Sequence, residues 1–266
     1  MRWMYTHIAL LFGFFVAQAQ EVRFPNIPDS LNTSEARSLY LAEHFWETND
    51  MGDTLIMHHP TAVLDYIYIL SKLQQNEAQR LMASTAERAV QYPSTYSYTE
   101  YWFEHFLHDS LSPYYDDELF IPFLERVICS GCEDIYKMRA RFLLSRCMMN
   151  RVGQKATDFG FRDDDGRESL LSRVEADYIL IWFYQKGCGA CAEAADYLKS
   201  SENVSKAFSL HKIALVQIDV EKYPELPGEQ YELQYFPVFY VLDKQHRVLV
   251  KEASLDKLAF FIDTLQ

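Results

Sequence analysis

Apolar residues recur at three- and four-residue intervals from about residue 32 to residue 149, which is the period of amphipathic helices. The clearest series is Val63, Leu64, Ile67, Leu70 and Leu73, and it follows Pro60, which suits the first turn of a helix. No strand pattern competes in this half of the chain. We predict six helices. The first is opened by an Asn32–Glu35 capping box and runs through Trp46, the second starts at Pro60, and the third is capped by Asn76 and Gln79 and ended by Pro93. The fourth has an aromatic face from Tyr98 to Phe106, and the last two cover about 117–129 and 133–149.

The pattern changes near residue 152, after which strand-length apolar runs appear. Residues 178–184 and 213–220 are continuous apolar runs, as strands buried on both faces require. We also predict a short strand at 157–161, a strand pair at 238–242 and 248–251, a helix at 188–199 and a terminal helix opened by Ser254 and Asp256. The predicted order, β-α-β-α-β-β-α, is that of a mixed sheet with helices on both faces.

These patterns predict two domains of different class, preceded by a short leader. Residues 20–151 are predicted to form an all-α domain, and residues 152–266 an α/β domain. Residues 1–19 have the features of a secretory signal peptide: a basic start at Arg2, an apolar core at 8–16 and the small-x-small sequence Ala17-Gln18-Ala19. The apolar core is too short to span a membrane, although a buried N-terminal helix is an alternative. We expect an exported, most simply periplasmic, protein without a membrane segment after cleavage.

The net charge narrows the classes of partner. The full chain has 25 basic and 38 acidic residues, and cleavage after residue 19 removes only Arg2, which leaves a net charge of −14 (24 minus 38). Such a surface repels phosphate backbones and anionic lipids, so nucleic acid is not an expected partner.

Cys188 and Cys191 stand out because they follow directly on the predicted buried strand and open a helix. Unpaired N–H groups at a helix N-terminus stabilise an anion, so the first thiol should be a good nucleophile. The second thiol, one turn on, could then release a mixed disulfide. A static disulfide is an alternative. A metal site is another, but it would need two further ligands.

The remaining cysteines and the histidines give weaker signals. Cys129 and Cys132 form a second C-x-x-C in the turn between the fifth and sixth helices, where a structural disulfide, free thiols, a redox relay or a metal site are all open. Cys147 is expected to be a small buried hydrophobe. His105 and His108 are interpreted as solvated or core residues, since no carboxylate cluster is evident near them in the sequence. No metal ligand set and no bound cofactor are predicted.

The C-terminal half resembles the thioredoxin superfamily in three segments: YILIWFYQKGCGACAEAADYLKS, LVQIDVEKYPEL and YELQYFPVFYVLDKQHRVL. The resemblance implies that Cys188 is the attacking thiol, Cys191 the resolving thiol, and Pro237 a cis proline that shapes the substrate groove together with Phe236. The opening segment, ATDFGFRDDDGRESLLSRV, is similar to exported thioredoxin-like proteins of the cytochrome-maturation and peroxiredoxin-related type.

Some positions depart from the thioredoxin pattern. Trp182 stands where a buried acid is usual, Gly187 where tryptophan is usual, and Phe236 is bulkier than the residue that usually precedes the cis proline. The dipeptide between the cysteines is Gly-Ala and lacks a proline. These differences bear on redox potential and on partner choice.

The helical half resembles a domain of unknown function that precedes thioredoxin-like domains in exported bacterial proteins, on the segments LFIPFLERV and IYKMRARFLLSRCMMNRVGQKATDF. The sequence as a whole predicts an exported thiol–disulfide oxidoreductase. Its partners would be protein substrates with disulfides or thiols and a redox donor or acceptor protein. The alternative is a non-catalytic binding or assembly protein that uses the thioredoxin-like fold as a scaffold. The sequence leaves the direction of exchange open.

Overall fold

The computed structural model describes residues 22–163, 165–211 and 213–265. The predicted signal peptide at 1–19 lies outside the described residues. No helix within the described ranges combines the length and the apolar character that a membrane crossing requires.

The N-terminal half is helical, and each of the six predicted helices is present. The helices are α1 (Ser34–Thr48), α2 (Thr54–Met57), α3 (Thr61–Leu70), α4 (Gln75–Ala89), α5 (Pro93–Leu107), α6 (Asp117–Cys129) and α7 (Asp134–Cys147). The four-residue α2 was not predicted. The core of this half is aromatic, and Phe45, Tyr66, Phe103, Phe120 and Phe123 are almost completely buried.

Two predicted helix starts are wrong in detail. The cap of α1 is Thr33, whose Oγ1 accepts a hydrogen bond from the N–H of Ala36 at 3.1 Å, and Asn32 lies outside the helix. The helix α4 begins after Gln74, without a side-chain cap from Asn76. Pro93 opens α5 as its first residue, a position where the missing N–H costs no hydrogen bond.

The C-terminal half contains a four-stranded sheet and a separate hairpin. The hairpin pairs β1 (Gly160–Arg162) with β2 (Glu168–Leu170). The sheet has the order β4-β3-β5-β6, formed by β3 (Tyr178–Tyr184), β4 (Ile213–Asp219), β5 (Val238–Asp243) and β6 (Val248–Ala253). The strands β3 and β4 run parallel, whereas β3–β5 and β5–β6 are antiparallel, which confirms the predicted mixed sheet.

The two faces of this sheet are covered differently. On one face pack the helices α8 (Gly189–Ser200), α9 (Glu202–His211) and α10 (Leu255–Thr264). On the other face, within the described residues, the helical cover is reduced to the two short 3₁₀ turns Leu171–Arg173 and Val220–Lys222, beside the β1–β2 hairpin and the 223–236 segment. The predicted order is therefore corrected in two places: α9 follows α8 directly, and a 3₁₀ turn stands between β4 and β5.

The two halves meet through polar contacts that join the ends of α5, α6 and α7 to the strand β6 and to the segment before β5. The Nζ of Lys251 donates to the carboxylate of Asp117 at 2.7 Å and to the carbonyl of Cys147 at 3.0 Å. The amide of Gln234 donates to the carbonyl of His108 at 2.8 Å, and the amide of Asn150 donates to the carbonyl of Gln230 at 2.7 Å. These bonds fix the helical half beside the segment that leads into β5.

Candidate active site

The strand β3 delivers the Cys188–Cys191 pair to the edge of the sheet. Its five central residues are buried, and the chain leaves it at Tyr184. Cys188 is the N-cap of α8, and its sulfur accepts a hydrogen bond from the N–H of Cys191 at 3.1 Å. The two cysteines form a disulfide with Cα atoms 5.2 Å apart. The predicted strand–turn–helix placement of this pair is present in the structure.

The two sulfurs differ in their access to solvent. Cys188 is half-buried, whereas Cys191 is 5% exposed. A reaction partner therefore reaches Cys188 first. Once the pair is reduced, the Cys191 N–H and the N-terminus of α8 are placed to stabilise a thiolate at Cys188.

The segment before β5 lies against this sulfur. The Phe236–Pro237 peptide bond is cis, as expected from the resemblance. The carbonyl oxygen of Phe236 is 3.7 Å from the sulfur of Cys188. Phe236 and Pro237 are both half-buried. The structure thus brings together the four residues singled out in the sequence.

The position of the usual buried acid is apolar in this chain. Trp182 packs on Tyr184 and Phe239, with ring centroids 5.1 Å and 6.2 Å away, and its buried indole N–H has no hydrogen-bond partner among the described residues. A carboxylate appears instead on the neighbouring strand, where Asp219 pairs in register with Tyr184.

Asp219 is a site residue that the sequence reasoning missed. It is buried, and its Oδ2 lies 3.7 Å from the Nζ of Lys186 and 3.6 Å from the Nζ of Lys222. Lys186 stands two residues before Cys188, so this ion pair ties the active-site turn to the end of β4. The sequence did offer one signal: Asp219 is an acidic residue at the end of an apolar strand, and β3 ends at the same edge of the sheet.

A second polar cluster lies buried between the two halves. The Nδ1 of His108 is 2.7 Å from Asp117, whose other oxygen accepts from Lys251. Burial would raise the pKa of Asp117, but the His108 hydrogen bond and the Lys251 charge outweigh it and lower the pKa. Burial would lower the pKa of His108 and of Lys251, but Asp117 raises both. The neighbouring Glu252 has its pKa raised by burial to about 8.

His108 is a buried core residue, one of the two predicted alternatives, but it has a carboxylate partner that the sequence did not reveal. His108, Asp117 and Cys147 offer ligand atoms within 4.8 Å of one another, a grouping that can hold a metal ion. The ammonium of Lys251 already neutralises Asp117, however, and the sulfur of Cys147 is 3.6 Å from the Nδ1 of His108. The geometry therefore supports a structural ion-pair cluster, completed without a metal.

The second C-x-x-C lies far from the first. Cys129 ends α6 and is exposed, Cys132 lies just before α7, and both thiols are free. The 14 residues of α7 separate Cys132 from the interface between the halves, and at 1.5 Å per residue this is roughly 20 Å. The far end of α7, at Arg146, is the part that contacts the thioredoxin-like half. The structure gives no support to a direct relay between the two pairs.

Comparison with known proteins gives two family matches. Residues 11–150 match a domain of unknown function, DUF5106, and residues 164–264 match the thioredoxin family. A crystal structure of a thioredoxin-like protein from Bacteroides caccae is 27% identical with a TM-score of 0.81, over 93% of this chain and 99% of that chain.

Smaller structures match a smaller share of the chain. The C-terminal domain of an uncharacterized protein from Bacteroides fragilis is 25% identical over 43% of this chain and 99% of its own, with a TM-score of 0.37. The thioredoxin domain of a thiol-disulfide oxidoreductase from Bacteroides vulgatus is 22% identical over 42% of this chain and 96% of its own, with a TM-score of 0.30. The curated proteins contain no match. The DUF5106 match covers more than half of the chain, which therefore belongs to the DUF5106 family, with a thioredoxin-like fold in its C-terminal half.

Proposed function

We propose that this protein is an exported, periplasmic thiol–disulfide oxidoreductase that exchanges disulfides with protein substrates through Cys188 and Cys191. One observation carries the proposal. The more accessible sulfur, that of Cys188, accepts the Cys191 N–H at 3.1 Å at the start of α8 and lies 3.7 Å from the Phe236 carbonyl. An attacking thiol needs access, anion stabilisation and a neighbouring backbone edge for its substrate, and this sulfur has all three.

The exchange proceeds in two balanced steps. In the reduced protein the Cys188 thiolate attacks one sulfur of a client disulfide, and the other client sulfur leaves as a thiolate. The Cys191 thiolate then attacks the sulfur of Cys188, and the second client sulfur leaves. Two electrons and two protons pass in total from the dithiol to the client. The same steps run in reverse when the disulfide form meets a client dithiol, and a redox donor or acceptor protein resets the pair.

The backbone edge beside the disulfide favours an extended polypeptide as the substrate. The Phe236 carbonyl is next to the reacting sulfur, and β5 begins two residues later at Val238. A client strand can pair with this backbone edge while its disulfide faces Cys188. We assign Pro237 and Phe236, at this edge, as substrate-binding residues. Because the electrons pass through the cysteines themselves, no bound cofactor is required.

Trapping of mixed disulfides in the native host compartment tests the proposal. The Cys191→Ala protein lacks the resolving thiol, so it should accumulate client adducts that dithiothreitol releases, whereas the Cys188→Ala protein should accumulate none. A Cys188–Cys191 bond that resists mild reductant, together with an absence of Cys188-dependent adducts, would contradict the proposal and favour a scaffold. Mass spectrometry of the purified protein would test export, since we expect the mature chain to begin at Gln20.

A further inference from the structure

A cleft of about 330 Å³ lies where the helical half meets the segment before β5. Its helical wall comes from α5, α7 and the residues after α5, and its other wall comes from the thioredoxin-like half. The residues that matter for its chemistry are Tyr101, Glu104, His105, Asp109, Phe142 and Tyr235.

The cleft lies beside the segment that contacts the disulfide. Tyr235, which lines the cleft, is bonded directly to Phe236, whose carbonyl lies 3.7 Å from the sulfur of Cys188. The floor is held by Gln234, which donates to the carbonyl of His108 at 2.8 Å and accepts from the N–H of Ser110 at 3.3 Å. A client segment beside the Phe236 carbonyl would therefore lie next to Tyr235, which forms part of the cleft wall.

The walls of the cleft are aromatic and open to solvent. Tyr101 is 51% exposed, Phe142 60% and Tyr235 45%, although the three residues belong to three different segments. The apolar surface extends along α7 to Met138 and Ile135, which are 62% and 61% exposed at helical spacing from Phe142. An exposed apolar patch of this kind, rimmed by polar residues, is typical of an interaction surface.

The charge of the cleft is negative. Glu104 forms an ion pair with Arg139, and Glu232 forms an ion pair with Arg146. Asp109 accepts a hydrogen bond from the N–H of Leu111 and lies 3.9 Å from the Nδ1 of His105, but among the described residues it forms no ion pair with a lysine or arginine. Residues 22–150 carry 18 acidic against 10 basic side chains, a formal charge of −8. Lys257 attracts Asp109 only at longer range than an ion pair. An aromatic wall beside a carboxylate without a direct lysine or arginine partner suits a cation on an aliphatic stem.

We propose that this cleft binds an extended segment of the client polypeptide that carries a basic residue flanked by apolar residues, next to the cysteine that reacts with Cys188. The inference rests on the proposed function, because it names the substrate class of that site. The aromatic side chains contact the apolar residues and the stem of the basic one, and Asp109 pairs with its charge. The helical half thereby selects which client cysteines reach the disulfide.

The test separates binding from redox chemistry. The Cys188→Ser, Cys191→Ser protein cannot exchange disulfides, and its binding is measured by fluorescence anisotropy with a short peptide that has one arginine between phenylalanines and a serine in place of cysteine. A twin peptide carries glutamate in place of the arginine. We expect the basic peptide to bind and the acidic twin to bind up to about fivefold more weakly, the upper end for one exposed charge pair.

Variants in the same redox-inactive background locate the binding. Tyr101→Ala with Asp109→Asn should weaken the basic peptide by about tenfold, as expected for the loss of one cation–π contact and one ion pair together. Tyr98→Ala is the matched control, because Tyr98 lies on the same helix against His58, outside the cleft, and is 37% exposed. It should leave binding unchanged. Circular dichroism checks that each variant is folded.

Three results would overturn the inference: equal binding of both peptides, equal binding by the double variant and its parent, or a second copy of this chain as the occupant. Sedimentation detects the last case, as a dimer that the double variant loses. The proposed function is tested separately, by exchange of the wild-type protein with 2-hydroxyethyl disulfide, which is too small to need the cleft. Loss of that exchange contradicts the proposed function, whereas loss of peptide binding alone contradicts only the inference.

Discussion

The ammonium of Lys251, on the last strand of the sheet, lies 2.7 Å from the carboxylate of Asp117, at the first residue of α6. The two residues are 134 positions apart, and both are buried. The same ammonium donates to the carbonyl of Cys147 at 3.0 Å and lies 3.5 Å from Glu252. A single side chain from the thioredoxin-like half therefore neutralises charge and satisfies carbonyl groups at the end of the helical half.

Replacement of Lys251 by methionine should destabilise the protein. The stem of the side chain is preserved, but Asp117 would keep only His108 as a partner, and removal of one member of a buried ion-pair cluster costs several kcal/mol. We expect the free energy of unfolding to fall by about 3 kcal/mol, measured by urea denaturation. Lys244→Met, in the exposed turn between β5 and β6, is the control and should change it by less than about 0.5 kcal/mol. Similar values for the two variants would contradict a structural role for the cluster.

The stability of the protein should fall as the pH rises from about 5 to about 8. Glu252 has a pKa of about 8 in the folded protein against 4.5 for the free side chain, because burial disfavours its charged form. Between these two values the folded chain holds a proton that the unfolded chain has lost, so unfolding becomes easier as pH rises through this window. His108 acts in the same direction, because Asp117 raises its pKa above 6.5: its contribution is complete below that value and is lost as pH rises through the folded pKa.

Urea denaturation midpoints between about pH 5 and pH 8 measure this slope. Glu252→Gln removes the glutamate component and should flatten the dependence, whereas Glu229→Gln, at an exposed position, should leave the slope unchanged. A wild-type midpoint that rises toward pH 8 would show that Glu252 is not protonated in the folded protein.

The parts of this fold that the sequence predicted best are those fixed by burial of contiguous residues. The strand at 178–184 was predicted with its observed bounds. Both of its faces pack against apolar layers, so its residues are apolar without interruption and the strand is visible in the sequence. The start of α1 was misplaced by one residue, because Asn32 and Thr33 are both good caps and only the backbone geometry selects Thr33.

The interface between the halves could not be predicted in the same way. The partners of Lys251 and of Gln234 lie more than 100 residues earlier in the chain, and no periodicity links them. Asp219 was overlooked for a related reason: its importance comes from the pairing of β3 with β4, which places it opposite Tyr184 and within ion-pair distance of Lys186. The cysteine site was predictable because its strand, turn and helix are consecutive in sequence.

The turn before Cys188 should depend on glycine at one position only. Gly187 has φ of +76°, in the left-handed region, whereas Gly189 is the first residue of α8, and neither would bring an added Cβ within 4 Å of another atom. We expect Gly187→Ala to lower the free energy of unfolding of the reduced protein by about 1 kcal/mol. Gly189→Ala, the control, should leave it unchanged or raise it by up to ~1 kcal/mol. Equal effects would show that the turn can adopt another backbone conformation at little cost.

The free thiols of the native protein should react with iodoacetamide at different rates. Cys129 is exposed, whereas Cys147 is completely buried, and burial together with the negative charge of Asp117 raises the pKa of Cys147 well above its usual range. We expect rapid modification of Cys129 and none of Cys147 until the chain unfolds, measured by peptide mass spectrometry over time. The Lys251→Met variant should accelerate modification of Cys147, because Lys251 donates to its carbonyl and holds the β6 edge against α7. Equal protection of Cys147 in both proteins would show that the two halves stay closed without this ion pair.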